Sequence, residues 1–179
     1  MRFLVLAALL LFMPGIVAAQ DVRAADRAAI DACLKTNERI NRFDRCVGIV
    51  YHPCTERAPS DDDKFPPGST PGQEECAARE AAVWQEKIEA SLKALRGGAL
   101  GQTQAKPYNR PKVTKLEHPV PGSVIIDDME RAWEISRAKM CDVEAMRYED
   151  GTFARTIYAT CLYKAAARHA LWLQELEND

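Results

Sequence analysis

Apolar positions along this chain recur mostly at helical spacing. Residues 22–37 are rich in alanine and gather Ala29, Ile30, Cys33 and Leu34 on one side. The next run sets Phe43, Cys46, Val47, Val50, Tyr51 and Cys54 at i, i+3, i+4, i+7, i+8 and i+11. Such spacing follows one face of a 3.6-residue turn, so each run reads as an amphipathic helix. A longer helix is predicted from Gln73 to Arg96, with Cys76, Glu80, Val83, Trp84, Ile88, Leu92 and Leu95 along one stripe, and Gly97 and Gly98 end it. Another starts near Asp127, whose carboxylate can cap the first amides while Glu130 completes a capping-box pattern. It runs to Tyr148 with Met129, Trp133, Met140 and Glu144 sharing a side. Asp150-Gly151-Thr152 makes a turn, Thr152 supplies a cap, and the last helix carries Ile157, Cys161, Ala165, Arg168 and Trp172. No run alternates convincingly with period two. The predicted fold is all-α, a small bundle of about five helices that ends in an antiparallel helical hairpin.

Two stretches interrupt the helical pattern. Between Pro53 and Gly72 lie five prolines, two glycines and the acidic triplet Asp61-Asp62-Asp63, which reads as a surface loop. From Gly97 to Gly122 there are four glycines and four prolines, with Lys106, Arg110, Lys112 and Lys115 against the single acid Glu117, which reads as a flexible linker. The first residues read differently again. Arg2 precedes the apolar run Phe3 to Phe12, Pro14 and Gly15 break it, and Val17-Ala18-Ala19 offers small residues for cleavage. This reads as a secretory signal peptide over 1–19, because the apolar run is only about half of the ~20 residues a spanning helix needs. The expected exported product is one helical domain over 20–179, with N-terminal helices over 20–96, the linker over 97–122 and the hairpin over 123–179.

Charge and chemistry narrow the function. The formal net charge is −2, and loss of Arg2 makes the exported chain one unit more negative, which argues against a nucleic-acid binder. No Gly-x-Ser-x-Gly turn is present, and carboxylates such as Asp127, Asp128 and Glu130 are explained by a helix start, so no catalytic residue is assigned. The cysteines form no Cys-x-x-Cys pair, and His52, His118 and His169 are scattered singly, so neither a metal site nor a cofactor is expected. His169 reads as a solvated histidine.

Six cysteines in an exported chain read as a disulfide framework. Fifteen connectivities are open from the count alone. Cys141 and Cys161 lie equally far on either side of Gly151, so a hairpin brings them to one height; Cys33 and Cys46 bracket a shorter bend near Arg39. Cys54 and Cys76 remain, at the two ends of the Pro-rich loop.

These residues carry a resemblance. Glu130-Arg131-Ala132-Trp133, then Arg137, Cys141, Gly151-Thr152, Cys161 and Arg168, resemble the C-terminal helical hairpin of the LprI-like lysozyme inhibitor family of bacterial envelope proteins. Cys76, Glu80 and Trp84, at four-residue steps, are similar to relatives with an extra cysteine-bearing helical hairpin. Where the family often has Asp, Leu, Asn and Tyr after the tryptophan, this chain has Gln85, Ile88, Glu89 and Leu92. The resemblance implies an exported, periplasmic or secreted protein that binds a lysozyme-type hydrolase. A structural or accessory envelope module without inhibitory activity is the alternative.

Each conspicuous side chain also has a structural reading. Trp133, Arg137 and Cys141 share a face, so Trp133 reads as core with Arg137 laid over it. Trp84 and Trp172 read as core anchors. Glu80 sits on the apolar stripe, where a carboxylate needs a cation, and Arg168 or Arg137 is the expected partner. Asp61, Asp62 and Asp63 are the candidate partner-binding residues, placed to steer the loop toward a basic enzyme.

Overall fold

The computed structural model describes residues 14–105, 119–148 and 151–178. Within them the fold is all-α: α1 (Pro14–Thr36), a 3-10 turn (Arg39–Asn41), α2 (Arg42–Cys46), α3 (Tyr51–Glu56), α4 (Thr70–Gly97), α5 (Ala99–Gln102), α6 (Gly122–Met146) and α7 (Thr152–Asn178). A two-residue ribbon, β1 (Gln104–Ala105) against β2 (Val120–Pro121), closes the described ends of the segment between α5 and α6. None of the described helices is long and apolar enough to cross a membrane. The apolar run Phe3 to Phe12 lies outside the described residues, as do 106–118 of the predicted linker.

The central layer is α4 packed against α7. The two run parallel, since Glu74 meets Arg155 at one end while Ala94, Leu95 and Leu176 line one groove at the other. α6 returns between them in the opposite direction. Val83, Trp84, Ile88, Leu92 and Leu95 of α4 face Ala166, Ala167, Ala170 and Leu173 of α7, with Ile30 and Leu34 of α1 and Ile126 of α6 closing the core. The alanines let the α7 backbone come close to α4, and the fully buried Trp84 fills the space that remains.

Four elements begin or end elsewhere than the periodicity predicts. α1 starts at Pro14 and so reaches back from the predicted 22–37 into the proposed leader. The second predicted helix is broken: α2 ends at Cys46, Gly48 takes φ +93°, and α3 starts at Tyr51. α4 starts at Thr70, ahead of Gln73, because the Ser69 hydroxyl accepts the Gly72 N–H (3.2 Å) and Pro71 occupies the first turn, where no amide partner is needed. α6 starts at Gly122, so Asp127 is interior and caps nothing. The β1–β2 pairing and the Gly122 N–H on the Thr103 carbonyl (2.7 Å) fix that earlier start, and a Cβ at Gly122 would run into the Leu100 carbonyl. Asp127 instead accepts a hydrogen bond from Arg96 Nε (2.7 Å), tying α6 to the end of α4. The two ends of the predicted linker are therefore ordered as α5 and a ribbon.

Disulfides join Cys33 to Cys46, Cys54 to Cys76, and Cys141 to Cys161, with Cα separations of 5.6, 5.7 and 5.5 Å. The last staples α6 to α7 across 20 residues of chain. Closing a loop of that length is worth about 3 kcal/mol in the chain-entropy account. Cys161→Ala is accordingly expected to unfold at a lower denaturant midpoint than the parent; an unchanged midpoint would mean that the staple does not constrain the fold.

Candidate functional site

The residues singled out in the sequence fall into three places: a buried carboxylate cluster, an aromatic cluster between α6 and α7, and the acidic loop.

Glu80 is completely buried, and among the described residues its carboxylate pairs with no arginine. Its Oε1 accepts the Gly48 N–H (2.6 Å) and the Trp84 indole N–H (3.1 Å); its Oε2 accepts the N–H groups of Val50 (3.1 Å) and Tyr51 (2.8 Å). This is why the second predicted helix breaks. Backbone amides between Cys46 and Tyr51 turn inward to solvate the carboxylate, and the turn needs positive φ at Gly48, where a Cβ would also come within 2.6 Å of the His52 ring. Tyr163 lies buried nearby, and burial first, then the Glu80 charge, pushes its hydroxyl well above the ordinary tyrosine value. The cluster is enclosed and already satisfied, so it holds the fold together and leaves nothing to offer a ligand.

The arginines expected beside Glu80 lie elsewhere. Arg168 is exposed and stacks over Phe43 (4.5 Å), whereas Arg137 stacks over Trp133 (4.4 Å), as the shared face predicts. Trp133 in turn stacks on His169 with ring centroids 3.9 Å apart, and Trp172 lies 5.6 Å further along. His169 is buried and its Nε2 donates to Glu130 Oε2 at 2.7 Å, so it is neither solvated nor single, and Glu130 is no capping residue. Trp172 is an exposed end of the stack and not a core anchor; Met140 and Glu144 of the predicted α6 stripe also face out. The His169–Glu130 pair escaped the sequence reading because its members are 39 residues apart and each had a sufficient local explanation.

The loop between α3 and α4 separates the acidic triplet. Asp63 is clamped by Arg57, with Nη1 on Oδ2 at 2.7 Å and Nη2 on Oδ1, and it also accepts the Ser60 N–H (2.8 Å). The Arg57 guanidinium first, and the Ser60 amide second, hold its carboxyl down to about 2. A depressed carboxylate contributes order that is complete above its ordinary value and lost as pH falls through the folded one. An NMR titration should therefore place the Asp63 midpoint near 2; a midpoint near the ordinary ~3.9 would mean that the clamp is open in solution. Asp61 and Asp62 remain exposed. Beneath them the loop packs through Phe65 and the buried Pro67 against Gly72, Cys76 and Arg79, and Arg79 is itself fixed by a two-point ion pair with Asp26 of α1 (2.7 and 3.0 Å).

On the opposite side of α4 runs an open groove between that helix and the α6–α7 hairpin. Two adjoining hollows of about 340 and 360 Å³ share Glu74, Ala159 and Leu162, with Ala77, Ala81 and Tyr158 along the walls. Gln85 and Arg137 rim the inner hollow and Arg155 the outer one, where its ion pair with Glu74 spans the groove. Among the described residues no group of three potential metal ligands gathers.

A family model described as Lysozyme inhibitor LprI matches residues 61–173, more than half of the chain. The match begins at the acidic triplet, spans α4, α5, α6 and the two strands, and ends at Leu173 in α7; α1, α2 and α3 lie outside it. No curated protein and no solved structure matches the chain.

Proposed function

The chain belongs to the LprI lysozyme inhibitor family, and on that premise we propose that it acts outside the cytoplasm, once residues 1–19 are removed, by binding and inhibiting a lysozyme-type cell-wall hydrolase. The family match carries the reading. The geometry of the loop supports it. Hydrolases of anionic cell-wall polymers profit from a basic surface, and this loop offers Asp61 and Asp62 to such a surface. The loop is closed by Cys54–Cys76, clamped by Arg57–Asp63 and capped onto α4 by Ser69, so little conformational freedom remains to be lost on docking. Its acids act at the rim, where they raise the association rate; they do not enter a cleft whose own carboxylates would repel them. The protein itself performs no chemistry in this role.

Asp61 and Asp62 changed together to Asn test the loop, and Asp63 is left in place because its loss would open the clamp. The double variant should associate with an immobilised basic lysozyme several-fold more slowly than the parent and with a shallower salt dependence. Unchanged association kinetics would remove the loop from the interface. Failure of the parent to bind any lysozyme would leave an accessory envelope module as the better reading.

A further inference from the structure

The second half of α6 is poorly covered. After Glu130 it buries only Cys141, while Met140, Val143 and Met146 follow one another at three-residue steps on its outer side. The chain then passes Tyr148 and Phe153, whose rings meet edge to face at 5.2 Å across the hairpin turn. These five side chains are between 45% and 73% exposed. Large side chains at that exposure offer on the order of 500 Å² of apolar surface, at the upper end of what a monomer normally shows in one patch.

The position of this patch gives it a partner. Because α4 and α7 run parallel and α6 runs against them, the hairpin tip lies at the same end of the bundle as the start of α4, where Arg155 meets Glu74 (2.7 Å). The acidic loop packs on the opposite face of those same first turns, against Gly72, Glu75, Cys76 and Arg79. Loop and hairpin tip therefore stand on either side of one helix, whose diameter is about 10 Å. At this end the exposed acids Glu56, Asp61, Asp62, Glu75 and Glu144 outnumber the exposed bases Lys64 and Arg147. Arg57, Lys139 and Arg155 are each already beside an acid: Asp63, Asp142 and Glu74.

We propose that the hairpin tip, through Met140, Val143, Met146, Tyr148 and Phe153, is the apolar centre of the surface that docks a basic lysozyme-type hydrolase, with the acidic loop as its charged rim. This rests on the functional reading above and extends it from a steering loop to an anchoring surface. A second copy of the chain fits less well. A two-fold contact would set this acidic end against itself.

Oxidised protein beginning at Gln20 and carrying Met146→Ser and Phe153→Ser tests the assignment, measured by biolayer interferometry on an immobilised basic lysozyme. Both side chains are more than half exposed, so the variant should stay folded and melt only slightly below the parent, the Tyr148–Phe153 contact being lost. Leu100→Ser, also exposed but beside the far end of α4, is the control. The expected result is at least about tenfold weaker affinity, through faster dissociation with an unaltered salt dependence, for the tip variant alone. Unchanged affinity in a tip variant, against a parent that binds, overturns this inference and spares the functional reading. A parent that binds no lysozyme overturns both. Sedimentation of the parent as a dimer that the tip variant disperses overturns the choice of partner.

Discussion

Glu80→Ala is expected to lower the unfolding free energy by about 5 kcal/mol, enough to unfold many domains of this size. The substitution strands four donors at once: the N–H groups of Gly48, Val50 and Tyr51 and the Trp84 indole. Each buried donor left without an acceptor costs about 1–3 kcal/mol. Glu80→Gln separates this account from simple packing. It keeps the volume, yet its amide nitrogen would face a donor where an acceptor is needed, so about 2–3 kcal/mol should still be lost. Chemical denaturation of the two variants checks both values, and a glutamine variant as stable as the parent would show that the carboxylate is not what holds the Cys46–Tyr51 turn.

The second large effect concerns His169. His169→Ala removes the partner of a buried Glu130 carboxylate whose other oxygen, Oε1, already lacks one among the described residues, and it leaves a gap in the stack between Trp133 and Trp172. Leaving a buried carboxylate without its hydrogen-bond partner costs about 1–3 kcal/mol or more, and the vacated space of the ring adds to that. Glu130→Gln should cost less, because an amide oxygen can still accept from the imidazole. Equal stability of His169→Ala and the parent would place this cluster outside the cooperative core.

These two sites mark the border of what the sequence discloses. The α4 stripe, the hairpin about Gly151 and the height match of Cys141 with Cys161 follow from spacing alone, because helical rise and period are the same in every sequence. The partners of Glu80 do not. A search among charged side chains looks for arginine, whereas the groups that solvate this carboxylate are backbone amides, which every residue but proline carries and which leave no mark on the sequence. The local signs are Gly48 and Pro53 within a run that otherwise reads as helix. These amides come from a segment outside the family match, so that resemblance did not point to them either. The early start of α6 was hidden for a related reason: Asp127 and Glu130 satisfy a capping pattern, but ribbon pairing and the close seat of Gly122 on α5 set the start five residues earlier. Of the candidate surface, the acidic loop was legible as composition, while the clamp that removes Asp63 from it was not. Of the apolar hairpin tip only Met140 belongs to the side that spacing picks out on α6, since periodicity assigns residues to a common face without saying whether another element covers it.

Inhibition itself is the most direct test. Purified oxidised protein, beginning at Gln20, should be titrated against a basic lysozyme while the clearing of a peptidoglycan suspension is followed. Lysis should be lost progressively and completely near equimolar protein at micromolar enzyme, and the loss should weaken both in the Asp61/Asp62 variant and in the Met146/Phe153 variant. Undiminished lysis at about tenfold molar excess, by protein whose three disulfides are intact, would contradict it.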